Sequence, residues 1–92
     1  MDLNEIRKEI DAVDALLLPL FVKRMRLSDA VADYKRENGL PTRNVQREQE
    51  ILDRVSKEAG EEYGPYAAKL YETVMSLSRA RQDALREEKS GE

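Results

Sequence analysis

This sequence predicts an all-α fold: three helices per chain with a long first helix, and a homodimer that completes a helical bundle. Three observations carry that expectation. Leu3, Ile6, Ile10, Val13, Leu17, Leu20, Leu27, Val31 and Tyr34 recur at alternating steps of three and four, the spacing of one long helix packed along a seam. Glycine and proline are few and clustered, so the chain has little to break helices with. Hydrophobic residues make up 40% and charged residues 38% of the chain, a mixture that suits amphipathic helices with solvated outer faces.

The first helix is expected from Leu3 to Glu37, stopped by Asn38-Gly39 and then Pro41. At about 1.5 Å per residue it is roughly 50 Å long, beyond the ~30 Å width of a small domain. Two further helices of one chain cannot cover it, so a second long helix from another copy is the economical cover. Pro19 lies inside this helix, but the apolar register continues in phase across it, which favours one helix with a local kink over two separate helices. The second helix is expected from Asn44, a good N-cap, to about Ala59, with Val45, Glu48, Leu52, Val55 and Ala59 inward and Ile51 beside them. Gly60 through Gly64 reads as a turn, and Pro65 suits the first position of a third helix. That helix carries Leu70, Val74, Leu77, Arg81 and Leu85 along one side, with Ser78 and Gln82 one turn apart beside them. Residues 1–86 then form one helical domain, and 87–92 a polar C-terminal tail.

Composition narrows the function. With 92 residues the chain is at most one small domain. It has no cysteine and no histidine, which removes thiolate chemistry, the usual general base and most transition-metal sites. No metal and no cofactor are expected. A formal charge of −3 and a pI near 5.1 argue against nucleic acid as partner. No stretch is apolar enough for a membrane span and no signal-peptide pattern is seen, so a cytoplasmic protein is expected. An enzyme of this composition works by positioning and electrostatics rather than proton shuttling.

One position in the leucine register is Arg24. A guanidinium in such a seam is expensive to desolvate unless an anion meets it. Arg24 and Lys35 are eleven residues apart, close to three turns, and project from nearly the same face. Arg7 lies about 25 Å from Arg24 by helix rise, so it reaches the same small ligand only from an antiparallel partner helix. Each candidate has a plainer reading. Arg7 and Lys35 can be solvated cations, Glu48 can be ion-paired with Arg24 or Arg47, and Ser78 and Gln82 can be mildly polar surface positions. In company, a serine hydroxyl and a glutamine amide orient a ligand without adding charge.

Taken in order, these residues resemble the all-helical chorismate mutase family. The opening Leu3-Asn4-Glu5-Ile6-Arg7-Lys8-Glu9-Ile10-Asp11, then Lys23-Arg24-Met25, Val31-Ala32-Asp33-Tyr34-Lys35, Pro41-Thr42-Arg43-Asn44-Val45-Gln46-Arg47-Glu48, and the pair Ser78 and Gln82 match its markers at compatible spacings. The resemblance spans Leu3 to about Leu85. It implies an intertwined dimer with two sites, each borrowing an arginine from the partner, and conversion of chorismate to prephenate by a Claisen rearrangement in phenylalanine and tyrosine biosynthesis, part of the shikimate pathway. It assigns Arg24 and the partner's Arg7 to the two carboxylates, with Ser78 helping at one. Lys35 and Gln82 become donors to the ether oxygen, Glu48 and the Asn44 backbone amide hold the ring hydroxyl, and Arg47 supports the site. Asn44 stands where some relatives carry Asp, which changes little if the contact is through the backbone. Two alternatives stay open: an isochorismate-pyruvate lyase on the same scaffold, and a non-catalytic helical dimerisation or regulatory module. A fused or associated aromatic-pathway enzyme is compatible with the mutase reading.

Overall fold

The computed structural model describes residues 1–90, with side chains through residue 88. Two helical elements, α1 (Leu3–Glu37) and α2 (Val45–Ser90), account for nearly all of it. The Asp2 carboxylate caps α1 by accepting from the Glu5 N–H at 2.8 Å. The helix then runs without a break through Pro19. It ends where Gly39 N–H donates to Arg36 O (3.3 Å) and Leu40 N–H to Lys35 O (2.7 Å), a Schellman closure around Gly39 at φ 65°. Asn44 caps α2 through its side chain, which accepts from the Arg47 N–H at 3.0 Å.

The expectation of three helices needs correction: there are two elements, and the turn anticipated over 60–64 contracts to one residue. Gly60 alone leaves the helical region, at φ 88° and ψ 173°, a conformation open to glycine and closed to residues with a Cβ. That single residue folds α2 back on itself. Ile51 and Val55 of its first arm pack on Met75 of its second, with Ala67 and Tyr71 alongside. Gly64 comes so close to the first arm that a Cβ there would lie 2.7 Å from the Ser56 carbonyl oxygen. The helix also continues through residues 87–90 of the expected tail, while Gly91 and Glu92 lie outside the described residues.

The inward faces of α2 match those read off the apolar spacing only in part. Val55 and Val74 are buried as expected, but Val45, Leu70 and Leu77 are exposed and Arg81 points outward to meet Asp29 of α1, while Met75, Ser78 and Gln82, outside those stripes, are buried. The outcome is a thin molecule measuring 55 × 27 × 14 Å. Its radius of gyration of 16.6 Å exceeds the ~12 Å of a compact chain this long. The seam on α1 is uncovered: Leu3, Ile10, Val13, Leu17 and Leu20 are all more than half exposed. Among the described residues no helix is long and apolar enough to cross a membrane.

Candidate active site

One cleft of about 370 Å³ lies between the C-terminal half of α1, the connection 38–44 and both arms of α2. α1 contributes Arg24, Ser28 and Lys35, which its pitch sets on one face over three turns. The Asn44 cap aims the first turn of α2 at the cleft and brings in Arg47 and Glu48. With its side chain spent on Arg47, Asn44 offers a backbone N–H that makes no hydrogen bond among the described residues. The fold-back at Gly60 returns the chain to the same cleft with Met75, Ser78, Arg79 and Gln82.

The polar groups are held by one another rather than by solvent alone. Arg24 Nη1 donates to Ser78 Oγ at 3.1 Å, and its guanidinium carbon sits 5.9 Å from the Tyr71 ring centroid, within cation–π range. Ser28 Oγ lies 3.1 Å from Ser78 Oγ and 3.2 Å from the Arg24 carbonyl oxygen. The Lys35 ammonium donates to the Thr42 carbonyl at 2.6 Å, which fixes its position and leaves two of its three N–H groups unspent. Glu48 Oε1 takes Arg79 Nη1 at 2.6 Å and Arg43 Nε at 3.5 Å. Gln82 is 7% exposed and its Oε1 is buried with no partner, a state costing about 1–3 kcal/mol unless a ligand or water relieves it.

Charge gives the ligand class. Arg24, Lys35, Arg47 and Arg79 face one carboxylate, Glu48, so the lining carries a net +3 on a chain whose own net charge is −3. Arg24 has no carboxylate within ion-pair distance among the described residues. A cleft with uncommitted guanidinium, ammonium and amide groups suits a small polyanionic molecule with a further polar group.

The structure thus gathers Arg24, Lys35, Asn44, Arg47, Glu48, Ser78 and Gln82 into one space and leaves Arg7 out of it, toward the far end of α1. Glu48 does not pair with Arg24 or Arg47, as one reading of the sequence had it; its partners are Arg79 and Arg43, and Arg47 lies 3.9 Å from Glu50. Arg79 and Thr42 were not among the sequence candidates. Arg79 follows the buried Met75 by one turn, a signal that the leucine spacing on the same helix obscured. Thr42 acts through its backbone carbonyl, which no side-chain pattern reveals.

A family model described as chorismate mutase type II matches residues 6–83, most of the chain and every cleft residue named above. The chain belongs to the chorismate mutase type II family. Among curated proteins it is similar to the chorismate mutase of Methanocaldococcus jannaschii, 42% identical over 55 residues, covering 60% of this chain and 56% of that one. It is also 35% identical over 63 residues to the bifunctional chorismate mutase/prephenate dehydratase of Aquifex aeolicus, covering 68% of this chain and 17% of that one. The T-protein of Haemophilus influenzae is 37% identical over 73 residues, 79% of this chain and 19% of that protein. These matches therefore span about half the length of the first relative and under a fifth of the other two.

Proposed function

We propose that the chain converts chorismate to prephenate by an intramolecular Claisen rearrangement, and that it does so as an intertwined homodimer. The observation that carries this reading is the convergence of Arg24, Lys35, Glu48, Ser78 and the buried Gln82 on one cationic cleft in a chain of the chorismate mutase type II family. The substrate is a dicarboxylate with a ring hydroxyl and an ether oxygen. As the ether C–O bond breaks, a C–C bond forms in the same molecule, and negative charge grows on the oxygen. No nucleophile or proton carrier is needed, which suits a chain without histidine or cysteine.

In this reading Arg24, held by Ser78, clamps one carboxylate, and Arg7 of the partner subunit clamps the other. Clamping both ends selects the compact conformer and contributes through orientation. Lys35, anchored on Thr42, and the Gln82 amide donate to the ether oxygen, and those bonds accelerate the reaction to the extent that they strengthen in the transition state. Glu48 and the Asn44 backbone N–H hold the ring hydroxyl, with Arg47 at the rim. The dimer is supported by the exposed apolar seam of α1, by the extended shape of the chain, and by the distance of Arg7 from the cleft its charge would serve. Residues 1–86 would be the catalytic unit, either alone or joined to another enzyme as in the bifunctional relative from Aquifex aeolicus.

The test is loss of chorismate and appearance of prephenate with purified protein, run beside Lys35→Ala and beside isochorismate as substrate. The expected result is mutase turnover that falls by about 100- to 1,000-fold in a folded Lys35→Ala dimer, the usual effect of removing one donor from a developing oxyanion. Near-normal turnover in that variant would refute the role of Lys35. Salicylate from isochorismate without prephenate from chorismate would replace the mutase by the lyase.

A further inference from the structure

The Glu48–Arg79 pair has a use that the proposed mutase roles leave open. A carboxylate in a site for a dianion poses two physical problems: it repels the ligand, and it is surrounded by arginines that it can neutralise by pairing with them. Both Arg79 Nη1 (2.6 Å) and Arg43 Nε (3.5 Å) meet the same oxygen, Oε1. None of the described hydrogen bonds or ion pairs uses Oε2, and Oε2 is not among the buried unpaired atoms, so it is not sealed from solvent, and Glu48 lines the cleft. The pair is also sheltered, since the Glu48 side chain is 16% exposed and that of Arg79 28%.

We infer that Arg79 is a positioning residue that acts through Glu48: it ties down Oε1, offsets the carboxylate's charge, and leaves Oε2 as a fixed acceptor for a neutral hydroxyl of a dianionic ligand. The inference rests on the mutase reading above. It also accounts for the freedom of Arg24. With Glu48 committed to Arg79 on the second arm of α2, Arg24 keeps its guanidinium for the ligand and for Ser78. The position of Arg79 follows from the helix: it stands one turn after buried Met75 and three residues before buried Gln82, so it faces the cleft they line. Its contact to Glu48 runs from one Nη to one oxygen, so a lysine ammonium, a point charge on a similarly long stem, can replace it.

The experiment is a double-mutant cycle on kcat and KM for chorismate, with unfolding midpoints measured on every variant. Arg79→Met should lower kcat/KM by about 10- to 100-fold, mostly through KM, because the hydroxyl is held in ground and transition state alike. Arg79→Lys should restore it to within about threefold of the parent. In a Glu48→Gln background, Arg79→Met should cost less than about twofold, since the residue through which it acts is already neutral. Arg79→Gln carries the same test if Arg79→Met does not fold. Losses that simply multiply in the double variant, or a crippling Glu48→Gln beside a near-normal Arg79→Met, would overturn the assignment while leaving the mutase reading intact. A parent protein that does not consume chorismate overturns both, and that result is seen before any variant is made.

Discussion

If each site takes Arg24 from one subunit and Arg7 from the other, two inactive proteins should make an active one when mixed. Arg7 and Arg24 are 17 positions apart on one unbroken helix, or about 25 Å at 1.5 Å per residue. A ligand that fits a cleft of about 370 Å³ cannot bridge that distance. Arg7→Ala and Arg24→Ala homodimers should each be reduced by about 100-fold or more, since each lacks a charge-assisted carboxylate contact at both sites. In a heterodimer the Arg7→Ala chain supplies Arg24 and the Arg24→Ala chain supplies Arg7. One of its two sites is then intact and the other lacks both residues. Equal mixing with free exchange makes half the dimers heterodimers, so the expected recovery is about one quarter of parental turnover. The assay is chorismate consumption after joint denaturation and refolding, with chains of unequal mass so that native mass spectrometry counts the heterodimers. Confirmed heterodimers that remain at background would refute site sharing, because a site built within one chain predicts no recovery at any ratio.

Two further outcomes concern the fold that carries the site. Gly60→Ala should cost about 1–3 kcal/mol by urea denaturation, through the backbone alone, because φ is 88° and a Cβ there meets nothing within 4 Å. Gly64→Ala should destabilise through contact instead, its Cβ falling 2.7 Å from the Ser56 carbonyl oxygen; unchanged midpoints in both would refute the account of the fold-back. The third outcome is a pH effect at the bidentate Arg81–Asp29 pair, which joins α2 to α1 at 2.9 and 3.1 Å. Hydrogen bonding from Arg81, with its charge adding to the effect, holds the Asp29 carboxyl below its ordinary value. The folded state therefore binds this proton more weakly than the unfolded chain does. The pair's contribution is complete above the ordinary aspartate range near pH 3.9 and is lost as pH falls through the lowered value. Asp29→Asn should flatten that part of the stability profile, and an unchanged acid limb would show that the pair contributes nothing there.

The long first helix, its stop at Asn38-Gly39 and the Asn44 cap were legible in the sequence because each depends on residues within a few positions. So was the grouping of Arg24 with Lys35, which needs only helix pitch. The break at Gly60 was legible as a position but not as a geometry. A cluster of Gly60, Gly64 and Pro65 suggests a loop, yet the two glycines serve different ends, one for a positive φ and one for a close approach, and the helix resumes at once. Arg79 was not legible because its partner, Glu48, is 31 residues away and meets it only through that fold-back.

The least legible feature was which face of α2 turns inward, and the reason is physical. Apolar spacing records every surface that ends up dry, whether it is covered by the same chain or by another. On the second arm of α2, Leu70 and Leu77 are the conspicuous residues, and both remain exposed in the single chain. Apart from Val74, which is buried as the stripe predicts, it is the quieter set of Met75, Ser78 and Gln82 that turns toward α1 and the first arm. Leu70 and Leu77 also line an apolar groove with Leu17, Leu18, Leu20 and Phe21 of α1, and Arg24 stands where that groove meets the cationic cleft. This position explains how an arginine can hold a place in a leucine register. Its guanidinium reaches Ser78 and the cleft while it sits 5.9 Å from the ring of Tyr71, which lines the groove. The same side chain then ties the proposed dimer seam to the proposed anion site. Covering the groove with a second chain would remove water from one side of Arg24 and strengthen its attraction for a carboxylate on the other.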